Sequence, residues 1–364
     1  MEELRVPGPT PCPPEILQAM TKQMINHRGE EFQGILKDVT DKLKQLFQTK
    51  NDLYILTGSG TGGLEAAIVN TLSPGDKVLS ASIGVFGDRF ATIAERFGAE
   101  VIRLSFEWGK AADVDAVRQA LKAEPKVKAV LVTHNETSTG VTNDLATISA
   151  VVKEFDKLLL VDAVSSLSSI KLPVDEWHCD VAVTGSQKGW MVPPGLVMVS
   201  VSREAWQAHA EARMPRFYWD FAQAESYLKR GQTPWTPAVS IVYALSVALE
   251  MILKEGLSEV QARHARVAGA ARDGAKSLGL SLFAEEGYAS NTVTAISSSN
   301  GLDTNKLLRI LIKEHNIVLG GGQQKLDGRI FRIGHMGWVT ENDIKTVITA
   351  LKVALPQAGF VAAG

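Results

Sequence analysis

Between residues 53 and 201, short apolar runs typical of strands alternate with segments that carry apolar residues at helical spacing. Strands separated by helices of about ten residues pair in parallel, and the helices cover both faces of the sheet. The pattern therefore predicts an α/β fold with a mostly parallel, seven-stranded sheet. The run 196–201 follows a Pro193-Pro194-Gly195 turn and is the expected antiparallel strand. The other predicted strands are 53–56, 77–81, 100–104, 129–133, 158–161 and 181–184, and the predicted helices are 64–71, 90–97, 114–122 and 145–155.

The segments before and after this central region differ from it in proline content and in the order of their predicted helices and strands. Five prolines among the first fourteen residues exclude a helix there and predict an extended arm, 1–14. We expect a large domain over 15–245, which opens with helical spacing in 15–24 and 34–49. A smaller α+β domain is expected over 246–364. Its predicted helices, one of which overlaps the boundary, are 240–254, 259–278, 304–314 and 341–355, and its predicted strands are 292–297, 316–319 and 330–333.

Composition argues against several classes of protein. The chain of 364 residues is 45% hydrophobic and 21% charged, which suits a globular protein with one large and one smaller core. Its net charge of -2 lacks the basic excess of a nucleic-acid-binding protein. Cys12 and Cys179 are too few for a disulfide framework or a metal site, and they suit a reducing compartment. Because no targeting pattern or membrane-spanning apolar run is found, we expect a cytoplasmic protein.

An acidic residue and a lysine follow two of the predicted strands. Asp162 ends the apolar run LLLVD, and Lys188 lies 26 positions later in the small-residue loop TGSQK. Pyridoxal phosphate needs a lysine amine for its Schiff base and a carboxylate that keeps its ring nitrogen protonated. The lysine can also act as a base where its pKa falls toward neutrality. Alone, Asp162 could be an N-cap or turn residue and Lys188 an ordinary loop lysine, but together they predict a pyridoxal phosphate site.

The glycine-rich stretch TGSGTGGLE, residues 57–65, lies between a strand-like run and a helix. Backbone amides at a helix start form an anion site, and small residues let a phosphate approach. Gly58, Gly60 and Gly63 also satisfy the G-x-G-x-x-G pattern, so an NAD-dependent dehydrogenase is an alternative. That alternative ranks lower because two helices precede the strand and no acidic residue ends a second strand about twenty positions later. A tight turn without a ligand is the third interpretation.

Nine motifs run through the chain in a fixed order. They are PGPTPCPPEI, NHRGEEF, TGSGTGGLEAA, GVFGDRF, THNETSTG, VDAVSS, TGSQKGW, TPWTP and FRIGHMG. In this order they resemble the class V aminotransferases, and specifically the alanine-glyoxylate and serine-glyoxylate (serine-pyruvate) aminotransferase group. The resemblance covers essentially the whole chain. It implies the fold type I of pyridoxal phosphate enzymes and a homodimer whose active sites lie between the subunits.

The resemblance also implies roles for single residues. Lys188 and Asp162 become the catalytic residues, and Arg332 in FRIGHMG becomes the arginine whose planar fork binds the substrate α-carboxylate. Gly8 falls where the family's backbone lines the substrate pocket. The expected cofactor contacts are Ser59, Gly60, Thr61 and Gln187 with the phosphate, Phe86 stacked on the pyridine ring, Thr137 with the ring hydroxyl, and Thr236 with the phosphate of the neighbouring subunit.

Some positions depart from the patterns of relatives. Thr233 stands where some relatives carry a tyrosine, which leaves a second cross-subunit contact open. Gln187 differs from the histidine of the related cysteine desulfurases, and neither Cys12 nor Cys179 lies where those enzymes have their mobile-loop cysteine. His134, the second residue of THNETSTG, is a candidate base, but the family gives it no proton-transfer role. We expect it to be a hydrogen-bonded structural residue.

These inferences lead to one expected function and several alternatives. The expected function is transfer of an amino group from alanine or serine to glyoxylate or a similar 2-oxo acid. Within the family, the alternative is 2-aminoethylphosphonate transamination, which needs a phosphonate site on the donor side. Outside it, the dehydrogenase remains. A non-catalytic role is the last alternative, since cyanobacterial relatives have been described as hydrogenase subunits.

Overall fold

The computed structural model describes residues 2–361, which form two main β-sheets flanked by helices. The strand prediction is confirmed for the central region and for the three strands of the C-terminal part. The strands are β1 (Glu3–Arg5), β2 (Asp52–Gly58), β3 (Lys77–Ser82), β4 (Glu100–Ser105), β5 (Val127–Thr133), β6 (Asn135–Glu136), β7 (Val141–Thr142), β8 (Leu158–Asp162), β9 (Val181–Gly185), β10 (Gly195–Val201), β11 (Val293–Ser297), β12 (Ile317–Gly321) and β13 (Ile330–Gly334).

Twelve α-helices lie among these strands in the described residues. A short 3-10 helix adds Gln324–Leu326. None of these helices combines the length and apolar character needed to cross a bilayer. The helices are α1 (Pro14–Ala19), α2 (Glu30–Phe47), α3 (Gly60–Thr71), α4 (Val85–Arg96), α5 (Val114–Ala123), α6 (Leu145–Glu154), α7 (Arg203–Glu211), α8 (Phe221–Leu228), α9 (Val239–Glu255), α10 (Leu257–Ser277), α11 (Thr304–His315) and α12 (Glu341–Gln357).

The large sheet has seven strands in the order β2-β10-β9-β8-β5-β3-β4. Neighbours from β9 to β4 pair in parallel, whereas β10 is antiparallel to both β2 and β9. The seven-stranded, mostly parallel sheet and its single antiparallel strand are therefore as predicted. Because β2 runs parallel to β9, six carboxyl ends meet at one edge.

Strand residues alternate between two apolar cores, one on each face of the sheet. In β8, Leu159 and Val161 join the core that also contains α2 and α9, while Leu160 joins the core under α3 and α8. A strand buried on both faces shows a continuous apolar run rather than an alternating one. The LLLV run reflects this double burial.

The smaller sheet has the order β1-β12-β13-β11, so the start of the chain joins its C-terminal part. β1 pairs in parallel with β12, from Glu3 opposite Ile317 to Arg5 opposite Leu319. A separate apolar core lies between this sheet and helices α10, α11 and α12. The expected boundary near residue 246 falls inside α9 and stays a prediction.

Two short helices in the large sheet's surroundings lie where no element was predicted. α7 and α8 bury few apolar residues, Ala205 in the first and Phe221 and Ala224 in the second, so their periodicity is weak. Both begin at side-chain N-caps, Ser202 and Asp220. Capping residues were the available signal for these helices.

The packing of α3 on the sheet leads to a stability prediction. A Cβ at Gly63 would lie less than 3.0 Å from the side chains of Val183 and Val197, whereas a Cβ at Gly34 in α2 would meet nothing. We expect Gly63→Ala to lower the free energy of unfolding by about 1–3 kcal/mol through overpacking. As the matched control, Gly34→Ala should raise it by about 0.5–1 kcal/mol. Denaturant unfolding measures both, and an unaltered Gly63→Ala protein would contradict the close packing.

Candidate active site

Five strands of the large sheet bring predicted site residues to one edge. β2, β3, β5, β8 and β9 run in the same direction, and Ser59, Phe86, Thr137, Asp162 and Lys188 lie at or shortly after their carboxyl ends. Ligands of open α/β sheets bind at this edge. The parallel arrangement therefore brings together residues that are far apart in the sequence.

A cavity of about 250 Å³ lies at this edge. Eight of the eleven predicted site residues line it. Gly8 and Arg332 lie next to residues of the site, as described below, and Thr236 does not line the cavity. The lining residues are Ser59, Gly60, Thr61, Leu64, Phe86, Arg89, Asn135, Thr137, Asp162, Val164, Ser165, Gln187 and Lys188.

Asp162 is a buried carboxylate at the end of β8. One oxygen, Oδ1, accepts a hydrogen bond from the Val164 N–H at 3.0 Å, and Oδ2 accepts one from the Thr133 hydroxyl at 3.3 Å. Burial raises the pKa of Asp162, while these two donors and the positive charge of Lys188 act in the opposite direction. Its position on the cavity leaves the carboxylate able to accept a further N–H donor from a ligand.

Lys188 presents its amine beside that carboxylate. Its Nζ donates a hydrogen bond to the Pro7 carbonyl. Burial lowers the pKa of Lys188 to about 8, the negative charge of Asp162 opposes this, and the positive charges of Arg332 and Arg89 add to it. An amine with such a pKa is partly unprotonated near neutral pH, so it can act as a nucleophile and as a base.

The proline-rich arm lies over this lysine. Thr10 donates its N–H to the Gln187 carbonyl at 3.1 Å and its hydroxyl to the Lys188 carbonyl at 3.0 Å. Gly8 has a φ of +103°, and a Cβ there would lie 2.5 Å from Lys188 Nζ. Only glycine combines this conformation with this close approach. The arm therefore forms one wall beside the reactive amine.

A second group of residues offers donors for an anion. Helix α3 begins at Gly60, and within the described chain the side chain of its N-cap, Ser59, makes no capping hydrogen bond. Gln187 also lines this cavity, and the N–H₂ group of its side-chain amide is able to donate to a ligand. Arg89 contacts the Thr61 hydroxyl at 3.4 Å. Free helix N–H groups, an amide N–H₂ group and a nearby cation fit a phosphate group.

Arg332 is held firmly in β13 and is only 5% exposed. Its Nε and Nη2 donate to the Gly321 carbonyl at 2.9 and 2.6 Å, and its Nη1 donates to the Thr137 carbonyl at 2.9 Å. Burial lowers the pKa of Arg332 to about 10, against the negative charge of Glu136. The second hydrogens of Nη1 and Nη2 remain for a ligand, apart from a 3.5 Å contact with Gln323.

Two residues placed here were missed by the sequence analysis. The Arg89 guanidinium lies over the Phe86 ring, 4.8 Å from its centroid. Its spacing of three positions from Phe86 on α4 was the available signal, since such residues share a helix face. Glu136 is fully buried beside Thr137, and burial raises its pKa to about 7. It lies within the THNETSTG motif but had received no role.

Two expectations have other outcomes. Thr236 is exposed on the described chain, so its contact with a neighbouring subunit remains a prediction. His134 is buried, and burial lowers its pKa to about 3. Its Nδ1 lacks a hydrogen-bond partner in residues 2–361, so the expectation of a hydrogen-bonded structural histidine is wrong for that nitrogen. The ring packs edge-on against Trp177 instead.

Comparisons with known proteins agree with this geometry. The family model described as aminotransferase class-V matches residues 4–339. An uncharacterized aminotransferase of Methanocaldococcus jannaschii is 44% identical, over 98% of this chain and 93% of the relative. The 42 kDa subunit of soluble hydrogenase from Anabaena cylindrica is 43% identical over 98% of this chain and 94% of its own. Serine–glyoxylate aminotransferase of Methylorubrum extorquens is 37% identical, over 98% and 91%.

Solved structures give the same result. The crystal structure of alanine–glyoxylate aminotransferase from Nostoc sp. superposes with a TM-score of 0.94 at 32% identity, covering 97% of this chain and 95% of that one. Relatives of similar identity carry names with different amino donors, namely aspartate, serine and pyridoxamine. The names of these relatives therefore share the reaction type but not the amino donor. The chain belongs to the class V aminotransferase family and has the α/β fold of the fold type I pyridoxal phosphate enzymes.

Proposed function

We propose that this aminotransferase moves the amino group of a small amino acid, alanine or serine, to glyoxylate or a similar 2-oxo acid. Aminotransferase activity and the pyridoxal phosphate cofactor follow from the family. The substrates are the proposal. The observation that carries it is that Lys188 and Asp162 line one small cavity, while Arg332 bonds to the carbonyl of Thr137, which also lines it, and Gly8 lies against the Lys188 amine.

The residues of the cavity fit the cofactor. When bound, pyridoxal phosphate supplies an aldehyde that condenses with amines and a ring that takes up the electrons left when an α-proton departs. Ser59, Gly60, Thr61 and Gln187 would hold its phosphate. Asp162 would accept a hydrogen bond from the ring nitrogen and keep that nitrogen protonated, because the buried carboxylate favours a nearby positive charge.

Lys188 would carry the proton of the reaction. The pKa of about 8 allows its Nζ to accept the donor's α-proton and to pass that proton on within the same half-reaction, and the acceptor's half-reaction uses the same group in the reverse direction. The arm limits the position of this amine through the Pro7 carbonyl and the Gly8 backbone. The same wall keeps water away from Nζ, and exclusion of water keeps its pKa low.

Size and charge support a small substrate with an α-carboxylate. In the described residues of one subunit, the cavity of about 250 Å³ is below the roughly 300–1,000 Å³ of typical small-molecule pockets, which favours a small donor side chain over a large one. Arg332 would hold the carboxylate through its remaining N–H groups. Alanine, serine and glyoxylate all meet these two conditions.

The alternatives fare differently. The family match overturns the NAD-dependent dehydrogenase, and Gly63 of its proposed loop packs against strand side chains instead of facing the cavity. A 2-aminoethylphosphonate donor would need a second cation close to the amine, and Arg89 is the cavity residue that could supply one. The donor experiment below separates this possibility from the proposal.

A panel of amino donors tests the proposed substrates. Initial rates would be measured with alanine, serine, aspartate, pyridoxamine and 2-aminoethylphosphonate, each with glyoxylate and with pyruvate as acceptor where the products differ. We expect the highest kcat/KM with alanine or serine and glyoxylate. A higher value for 2-aminoethylphosphonate, aspartate or pyridoxamine would overturn the proposed donor class.

Replacement of Lys188 tests its chemistry directly. We expect Lys188→Ala to lose the visible absorbance of the lysine-linked cofactor and all measurable turnover, because among residues 2–361 no other lysine lines the cavity. Lys37→Ala is the matched control, since Lys37 is exposed in α2 and far from the site in the fold. Turnover retained by Lys188→Ala would show that another group carries the proton.

Replacement of Arg332 tests the carboxylate site. We expect Arg332→Lys to lower kcat/KM for α-carboxylate donors roughly 10- to 100-fold, since one charged hydrogen bond contributes about 1.5–3 kcal/mol. The cofactor should still bind, as its visible spectrum would report. Arg329→Lys, at an exposed position three residues earlier, is the control and should behave as wild type. Unchanged kinetics for Arg332→Lys would place the carboxylate elsewhere.

A further inference from the structure

Glu136 is an acidic residue next to the site, and the reaction described above gives it no role. Its side chain is fully buried. Oε2 accepts hydrogen bonds from the backbone N–H groups of Phe86 at 2.9 Å and Gly87 at 3.1 Å. Oε1 accepts from the N–H of Ser138 at 3.0 Å and from its hydroxyl at 2.5 Å. Two of the four donors belong to the nearby Ser138, and the other two belong to α4, the helix that carries Phe86.

These contacts cap the first turn of α4 from outside the helix. The N-cap residue Gly84 has no side chain to do so, and Ser138 Oγ accepts from the Val85 N–H at 3.0 Å while Glu136 accepts from the next two. A Cβ at Gly84 would lie 2.5 Å from both Glu136 Cγ and Ser138 Oγ. A carboxylate at a helix N-terminus is also stabilised by the helix dipole. The position of Phe86 thus depends on Glu136.

On its other side, Glu136 is linked to the substrate arginine. The next residue, Thr137, accepts a hydrogen bond from Arg332 Nη1 through its carbonyl at 2.9 Å. The negative charge of Glu136 raises the pKa of Arg332 against the effect of burial. The four N–H and O–H donors stabilise the charged form of Glu136, and in that form it supplies a compensating negative charge for the buried guanidinium.

The hairpin β6–β7, which contains Glu136, is hydrogen-bonded to the segment just before β11 of the smaller sheet. The Gly140 N–H donates to the Glu136 carbonyl at 2.9 Å, and the Gly140 carbonyl accepts from the Ser290 N–H at 2.8 Å. The Asn135 amide donates to the Thr292 hydroxyl at 2.9 Å. Glu136 therefore lies on a continuous hydrogen-bonded path between the α4 end that carries Phe86 and the sheet that carries Arg332.

We propose that Glu136 is a positioning residue that fixes Phe86 and Arg332 relative to one another, so that ring stacking and carboxylate binding depend on one buried anion. The proposal rests on the proposed function, in which Phe86 stacks on the cofactor ring and Arg332 binds the substrate. Glu136 touches neither ligand itself. It acts through the backbone of α4 and through the charge and orientation of the guanidinium.

The main test replaces the charge and preserves the shape. Glu136→Gln keeps one acceptor oxygen but turns the other position into an N–H₂ group that faces N–H donors. We expect the apoprotein to bind pyridoxal phosphate about 10-fold more weakly or worse, because charged hydrogen bonds are lost. The visible circular dichroism of the bound cofactor should change, and KM for alanine should rise. Glu176→Gln, at an exposed position, is the control.

A double-mutant cycle shows whether the effect passes through Phe86. If it does, Phe86→Leu and Glu136→Gln together should weaken pyridoxal phosphate binding by less than the product of their separate effects. If the two separate effects on pyridoxal phosphate affinity simply multiplied, Glu136 would act independently of Phe86, and that half of the proposal would be overturned. A purely structural role would lower stability without altering the cofactor's circular dichroism.

A second variant keeps the test decisive if Glu136→Gln does not fold. Ser138→Ala retains the carboxylate but removes one donor to it and the acceptor of the Val85 N–H. We expect the same changes at about 2- to 5-fold. Unchanged cofactor affinity, circular dichroism and KM in the folded variant would overturn the proposal. A donor panel in which 2-aminoethylphosphonate, aspartate or pyridoxamine gave the highest kcat/KM would instead refute the proposed function, so the two failures are distinguishable.

Discussion

Exclusion of water from the Lys188 amine is the condition on which the site depends. Desolvation lowers the pKa of that amine, and two arginines add to the effect while Asp162 alone among the neighbours named here opposes it. The balance requires the arm over the lysine, the strand ends beneath it and the carboxylate beside it at once. A lysine on an open loop would stay protonated and inert near neutral pH. Fold and reactivity are therefore joined at this residue.

The charges around the cavity divide it into two anion sites and one proton site. The hydrogen-bond donors of the first anion site belong to the start of helix α3, the Gln187 amide and Arg89. The second anion site is the guanidinium of Arg332. Asp162 and Lys188 lie among them. Arg332 and Lys188 each have a buried acidic residue nearby. The negative charge of Glu136 acts on Arg332, and that of Asp162 acts on Lys188. Such pairing keeps buried charges tolerable and also fixes their positions.

Much of this could be predicted because the signals were local. Double burial of β8 produces the LLLV run, and chemistry demands an acid and a lysine at strand ends, so the sheet, Asp162 and Lys188 were within reach of sequence reasoning. Arg332 and Gly8 needed the family resemblance. Glu136 could not be assigned a role, because it caps a helix 50 positions earlier in the chain. α7 was missed because it buries too few apolar residues, and β1 because its partner is β12.

The pairing of β1 with β12 connects the N-terminal arm, which covers the reactive lysine, with a strand of the C-terminal part. The arm that leaves β1 passes over Lys188, and β1 itself is held by residues 317–319. A ribosome releases Asp162 and Lys188 long before those residues emerge. Until then the arm has no strand to pair with, so the wall beside the amine cannot be complete. Maturation of the catalytic centre therefore has to wait until residues 317–319 have left the exit tunnel and can pair with β1.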